Sequence, residues 1–420
     1  MKVDFQKIFF NLAFTIIIFF IGFGIAFKQL FPYEYIDAAH SGLYHLFNGN
    51  SRNHLCTINP RLDTSGAFYI SNSNSNSNDQ LFLVSYVDEE LINHIKLIEA
   101  NGDLINKWEL SNTITNHIID HDNFEKKSIT RIHTSGIKLT RSGDLILEVV
   151  NHGIFCLDWN NEVKWSKELN SHHSLFVDKN NTIWTCVYGP NEFDYDGSFF
   201  EDNVKDDYIV NIDSNGNILK KWSISDLLLK NKYDGLVSLN YRIEDRYHLN
   251  DVEVYDLPSE GYFKKGDVMV SLRNLNTVFV FDQTNDSIKW MCTGMFHHQH
   301  DPDFIDSNNI ILFDNKYVNY KDQKIYSRIL KVNAITKKSD VLFGGIEHQA
   351  FFTETLGKQE ITKNGNILLT SSHEGRVLKV APNGEVLWIL TNYIEDQSMK
   401  TVVIESSVIE KDYLNKGLID

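Results

Sequence analysis

Two hydrophobic patterns divide the chain. From Phe9 to Phe27 the sequence FFNLAFTIIIFFIGFGIAF is apolar almost without a break. Runs of about 18 or more such residues are long enough to cross a bilayer as a helix. Further on, the pattern becomes a series of short apolar strands, each opened by a polar turn residue. They read DQLFLVS from Asp79, GDLILEV from Gly143, NTIWTCV from Asn181, GDVMVSL from Gly266, NIILFDN from Asn309 and GNILLTS from Gly365. After each comes a return strand with its own turn, ending at Trp108, Trp165, Trp222, Trp290, Phe343 and Trp388. Turn residues between alternating apolar positions are a strong hairpin signal, because tight hairpin turns need positive φ.

A hairpin unit repeated six times predicts six small antiparallel sheets. None can bury both faces alone, so they pack radially as a six-bladed β-propeller, an all-β fold. The predicted organisation is a short cytoplasmic segment (1–8), a transmembrane anchor (9–30), a juxtamembrane connector (31–54) and the propeller (55–420). Surplus length belongs in loops, where insertions cost least. Ser71–Asn78 (SNSNSNSN) and the acidic stretch Tyr195–Asp207 are such loops, and the stretch from Leu227 predicts a short helix. Tryptophan recurring at one point of the repeat reads as a wedge between blades, since a binding surface needs no copy per blade.

Lys2 and Lys7 precede the apolar run, and no small-x-small cleavage site follows it. A positive N-terminal flank keeps the N-terminus in the cytoplasm. The expectation is an uncleaved single-pass membrane protein with its propeller periplasmic or extracellular. The formal net charge of -16 argues against nucleic acid as a partner, which needs a basic field. Cys56, Cys156, Cys186 and Cys292 are scattered without a CxxC pair, so no zinc or redox site is expected. No P-loop, Rossmann turn, G-x-S-x-G elbow or HExxH motif occurs, so neither a nucleotide cofactor nor a metal is expected.

Histidine carries the candidate chemistry. His172 and His173 (SHHSLFVDKNN), His248 (YHLNDVEV) and His300 (HHQHDPDFIDSNN) all fall where a repeat begins. Aligning FVDKNN with FIDSNN sets His172 level with His300. Equivalent positions of different blades converge on one mouth of the channel. Arg273, in SLRNLN, and Asn250, two residues after His248, belong to the same region. A binding propeller can line a ligand pocket with such residues without reacting, so spacing leaves enzyme and binding module both open.

YHLNDVEV, MVSLRNLNTVFVFD, HHQHDPDFIDSNNIILFDN and GKQEITKNGNILLTSSHEGRVLKV together resemble the bacterial arylsulfotransferase family over most of the chain after residue 80. The resemblance implies a six-bladed propeller that moves a sulfuryl group from a phenolic sulfate ester to a phenol, without a nucleotide sulfate donor. It implies a transiently sulfated His300. It implies His248, Arg273 and one histidine of the His172–His173 pair, His172 by the alignment above, as catalytic partners, with Asn250 and His173 at the substrate. The implied partners are a small aryl sulfate and a phenol, with the membrane contacted through the N-terminal helix.

Overall fold

The computed structural model describes residues 13–15, 68–72, 79–88, 90, 92–120, 132–190, 205–238, 245–258, 261–320, 324–345, 350–393 and 400–419. The chain divides into two compact units, Met1–His54 and Leu55–Asp420. Of the expected anchor only residues 13–15 are described, and they are helical; the rest of 9–30 lies outside the described residues. Among the described residues no helix is long and apolar enough to cross a membrane.

The second unit is a six-bladed propeller of antiparallel sheets. Strand β1 (Phe68–Asn72) is an outer addition to the last blade. Blade I holds β2 (Gln80–Val87), β3 (Asn93–Glu99) and β4 (Leu104–Glu109), followed by helix α1 (Leu110–Asp120). Blade II is β5 (Thr134–Leu139), β6 (Leu145–Val149), β7 (Gly153–Leu157) and β8 (Val163–Lys167). Blade III is β9 (Ser171–Val177), β10 (Ile183–Pro190), β11 (Lys205–Ile212) and β12 (Ile218–Ser223), with α2 (Ile224–Lys230) and α3 (Asp234–Ser238) after it. Blade IV is β13 (Leu249–Val254), β14 (Asp267–Leu272), β15 (Thr277–Asp282) and β16 (Ser287–Thr293). Blade V is β17 (His300–Asp306), β18 (Asn309–Asn319), β19 (Lys324–Asn333) and β20 (Ser339–Gly344). Blade VI is β21 (Lys358–Ile361), β22 (Ile367–Ser371), β23 (Arg376–Val380) and β24 (Val386–Asn392). The last strand, β25 (Val403–Glu410), returns to pair with β2 as the first strand of blade I.

Six apolar clusters fill the six joints between blades. Alternation along a central strand explains how. In β18, Ile310 and Leu312 face blade IV, while Ile311 and Phe313 face blade VI. In β2, Leu81 and Leu83 face blade II, and Phe82 and Val84 face blade VI. Both faces of the strand are buried, so its sequence is a continuous apolar run instead of an alternating one. The first strands β25, β5, β9, β13, β17 and β21 touch in that cyclic order and line the axis.

The recurrent tryptophans sit in these joints, and four of them tie a blade to the next. The indole N–H of Trp108 donates to Asp158 O (3.0 Å), Trp222 to Asp286 Oδ1 (2.9 Å) and Trp290 to Ala334 O (2.9 Å). Trp388 donates to Ala100 O (2.8 Å), which joins the sixth blade to the first. At the weaker copy, Phe343 has no such donor and stacks on Phe351 instead. The short helix expected near Leu227 is α2, whose N-cap Ser223 Oγ accepts from the Asp226 N–H. Helix α1 departs from the all-strand expectation: Leu110, Ile114 and Ile118, four apart, seat one of its faces on the joint of blades I and II. Cys156, Cys186 and Cys292 are free and buried; Cys56 lies outside the described residues.

Candidate active site

The histidines stand in β9 and β17 and, for His248, immediately before β13, and the backbone is distorted at each of these places. His173 has φ +65° and His248 φ +52°, while His298 and Asp301, flanking His300, have φ +55° and +50°. Residues with Cβ seldom adopt this left-handed region. The strand registers also slip: Leu175 pairs Thr185 but His172 pairs Cys186; Leu249 pairs Leu272 but Asp251 pairs Ser271; His300 pairs Phe313 but Asp303 pairs Ile311. A bulge with a left-handed residue bends the strand and re-aims its side chains. Blades III, IV and V thus turn their histidines toward one another at one mouth of the channel.

The geometry joins most of the expected residues. His173 Nε2 is 3.0 Å from His248 Nε2, and Arg273 Nη1 donates to the same His248 atom at 3.2 Å. His172 stands behind His173, with their Nδ1 atoms 2.9 Å apart. It is buried, stacked on Tyr188 at 3.7 Å, with Nε2 3.3 Å from Asp207 Oδ1. That last contact is not a hydrogen bond, and neither atom has a hydrogen-bond partner among the described residues. Asn250 Nδ2 donates to Gln299 O (2.7 Å), while its buried Oδ1 has no partner among them.

His300 is fixed most tightly. Its Nδ1 is 2.7 Å from Asn315 Oδ1 and 3.1 Å from His298 O. The Asn315 amide cannot be turned round, because its Nδ2 donates to Thr353 O (3.0 Å) and Leu356 O (2.7 Å). Both neighbours of Nδ1 are therefore acceptors, so Nδ1 carries the hydrogen and Nε2 the lone pair. Burial pushes the His300 pKa down to about 3; the Asn315 bond opposes this, and Arg273 and His248 reinforce it. The result is a neutral imidazole with one defined lone pair at physiological pH. His173 is pushed well below the usual range by burial first, then by His248, His172, His300 and Arg273. These five groups share one electrostatic neighbourhood.

Asp245 and Tyr188 were not among the expected residues. Asp245 Oδ2 accepts from His248 Nδ1 at 2.6 Å. Burial works against the Asp245 charge, yet the His248 bond, Asn274 and Arg273 outweigh it and hold its pKa below the usual range. The Tyr188 hydroxyl is 3.5 Å from Asp245 Oδ1. The i, i+3 spacing of Asp245 and His248 is the only sequence signal for this support. Asp207 ends the stretch read as an acidic loop, but it lies within β11.

Along the channel a cavity of about 360 Å³ is lined by Asp251, Glu253, Asp301, Asp303, Glu405 and Lys358 among others. Lys358 Nζ pairs with Asp301 Oδ1 at 2.9 Å, and Asp314 pairs with Arg328 at 2.8 Å. Among the described residues, no group of three or more His, Cys, Asp and Glu side chains is arranged to hold a metal ion.

In β6, Glu148 is fully buried and accepts from Ser135 Oγ and from Ser171 Oγ (2.8 Å). Burial, against those hydrogen bonds, lifts its pKa from 4.5 to about 7. A folded-state pKa above the unfolded one gives stability that is full below about pH 4.5 and lost as pH rises through about 7. The shift corresponds to roughly 3 kcal/mol lost by pH 9. Glu148→Gln is therefore expected to flatten the fall in unfolding free energy between pH 5 and 9 by about that amount, measured by urea titration at each pH.

The family described as Arylsulfotransferase (ASST) matches residues 137–393, more than half of the chain. No curated protein matches. Among solved structures, a protein of unknown function from Bacteroides caccae aligns with TM-score 0.51 and 10% identity, over 79% of this chain and 99% of that one. A virginiamycin B lyase from Staphylococcus aureus aligns with TM-score 0.35 and 11% identity, over 61% of this chain and 69% of that one. At such identities the likeness concerns fold alone.

Proposed function

Since the chain belongs to the arylsulfotransferase family, we propose that it moves a sulfuryl group from an aryl sulfate to a phenol through a sulfohistidine at His300. The carrying observation is the state of His300: a buried neutral ring whose Nδ1–H is committed to Asn315 and His298, leaving Nε2 as the nucleophile. Sulfur is attacked by that lone pair as the S–O bond to the aryl oxygen breaks. Negative charge then spreads over the departing and equatorial oxygens, and Arg273 is the permanent cation beside them. His248, clamped between Asp245 and Arg273, holds the guanidinium in place. His173 is the member of the histidine pair that meets His248. The buried Oδ1 of Asn250 offers an acceptor to the incoming phenol hydroxyl.

The test is a two-substrate assay of the purified full chain. 4-Nitrophenyl sulfate with a phenol acceptor is expected to release nitrophenol, with parallel double-reciprocal plots as donor and acceptor are varied. No release with any of a panel of phenols, or intersecting plots, overturns the reading. A binding-only propeller fits less well, because pure binding gives no reason to commit Nδ1 to two acceptors and leave Nε2 as the lone pair.

We also infer that the apolar run 9–27, flanked by Lys2 and Lys7, anchors the propeller outside the cytosol. Membranes carrying the full chain are expected to retain it through carbonate washing, with the propeller open to added protease only from the outer face.

A further inference from the structure

The channel cavity carries more acidic groups than its own cations can match. Asp251 and Glu253 from β13, Asp301 and Asp303 from β17, Glu360 from β21 and Glu405 from β25 line it, against Lys138 from β5 and Lys358 from β21. Lys358 Nζ pairs with Asp301 Oδ1 at 2.9 Å. The other carboxyls are held by neutral donors of the wall. Asp251 accepts from Ser174 Oγ (2.6 Å), Glu253 from the Phe304 N–H (2.7 Å) and Asp303 from Gln359 Nε2 (3.0 Å). Glu360 accepts from the Val408 N–H (3.0 Å) and Glu405 from the Ile137 N–H (3.1 Å). These bonds use one oxygen of each carboxyl.

Gln359 is an independent sign that a donor belongs in this cavity. Its Nε2 donates to Asp301 O and to Asp303 Oδ2, which fixes the amide the right way round. Its Oε1 is buried and has no hydrogen-bond partner among the described residues, although Gln359 lines the cavity and is only 4% exposed. Buried acceptors in folded proteins are nearly always satisfied. An anion would meet a surplus of carboxyls here. A metal ion needs several ligands at one point, and among the described residues no three such groups are arranged that way. The carboxyls are instead spread over four strands, and Phe176, Leu257, Phe304 and Ile305 supply apolar wall beside them. That mixture suits a cation with charge at both ends and a hydrocarbon stem.

We propose that this cavity binds a short aliphatic diamine with both amines protonated, one ammonium donating to Glu253, Asp303 and Gln359 Oε1 and the other to Glu360 and Glu405. The site stands whether or not the sulfuryl-transfer reading does. An ammonium offers three donors, and a cavity of about 360 Å³ falls in the range of small-molecule sites. Lys358 shows the same chemistry built into the chain. Asp301, Glu405 and Asp251 outweigh its burial and hold its pKa well above the usual range. Around it, burial lifts Asp251 and Glu405 to about 7, against the pull of Lys358. Burial, reinforced by Asp301, lifts Glu253 and Asp303 well above the usual carboxyl range. Glu360 is raised by burial too, with Lys138 opposing. Cys186, Glu148 and Glu410 are the next titratable neighbours of these groups. A bound ammonium favours the ionised carboxyl, so binding releases protons. The amines keep their own protons up to about pH 10, so affinity rises with pH through about 7.

Calorimetric titration of the full chain with 1,4-diaminobutane tests this. At pH 8 and fixed ionic strength one saturable site is expected, with proton release seen as a heat that changes with the ionisation enthalpy of the buffer. Affinity is expected to fall about tenfold or more from pH 8 to pH 6, the effect of at least one linked proton. 1-Aminobutane is expected to bind at least about tenfold more weakly, because it gives up the charged hydrogen bonds of one end. Asp303→Asn and Glu253→Gln keep shape and remove charge. Each is expected to fold as wild type and to lose at least about tenfold in affinity. No saturable heat with wild type at pH 8, equal affinity at pH 6 and pH 8, or equal binding of the monoamine overturns the proposal and needs no variant. Saturable binding of Mg²⁺ or Ca²⁺ that excludes the diamine would assign the cavity to a metal ion instead. Unchanged affinity in both variants would place the diamine elsewhere on the protein.

Discussion

Replacing His300 with alanine is expected to lower turnover of 4-nitrophenyl sulfate by about 10⁴-fold or more, because it removes the atom that accepts sulfur. The cost to folding is small by comparison. The substitution strips the donor from Asn315 Oδ1 and leaves a small void, worth about 1–3 kcal/mol. Asn315 stays held by Thr353 and Leu356. Circular dichroism and the cooperativity of urea unfolding are therefore expected to match wild type while activity is lost. After exposure to an aryl sulfate without acceptor, intact-mass analysis is expected to show one added sulfuryl group on wild type and none on His300→Ala. Added imidazole, filling the void with a free copy of the missing ring, is expected to restore part of the turnover. Undiminished turnover, or an adduct that persists in the variant, would assign the nucleophile elsewhere.

The architecture was legible because a propeller writes itself into the chain six times. Each central strand is buried on both faces, and each ends its hairpin on a large aromatic, so strand runs and joint residues recur in phase. Helix α1 escaped because it occurs once. The convergence of residues at the candidate site was legible where a residue's own chemistry and neighbours announce it, as with His248, Arg273 and the paired histidines. It was illegible where support arrives through space. Asp207 reaches His172 from β11, two strands outward, and sits at the edge of a stretch whose composition reads as loop. Counting back from Phe176 sets His172 level with His300, but the bulge between Thr185 and Cys186 inserts backbone that no count reveals. Past that bulge it is His173 whose Nε2 meets His248. One step on β10 there spans three on β9, so His173 and Ser174 are surplus and the strand's side chains are re-aimed. The tautomer of His300 depends likewise on what holds the far side of Asn315, which only the folded chain supplies.

A chain ending at residue 393, without β25, is expected to have no cooperative folded state. β25 pairs with β2 from Gln80 to Tyr86 and is the axial strand of blade I. Its removal opens the ring between β21 and β5 and bares the edge of a strand whose residues Leu81 to Val84 are fully buried. It also takes away Val403, Ile404, Ile409 and Leu414, all buried. At about 1.5–3 kcal/mol for each such side chain, their loss is on the order of the 5–15 kcal/mol that holds a typical domain together. Lys358 loses Glu405, one of the carboxylates beside it in the channel. The exposed β2 edge then invites pairing between chains. Far-UV circular dichroism of the truncated chain is expected to show no sharp urea transition, and sedimentation is expected to show aggregates. A synthetic peptide covering 400–419, added during refolding, is expected to restore the transition by re-forming the same strand in trans. A truncated chain that unfolds cooperatively at the wild-type midpoint would mean that five complete blades and a three-stranded first blade hold the ring without closure.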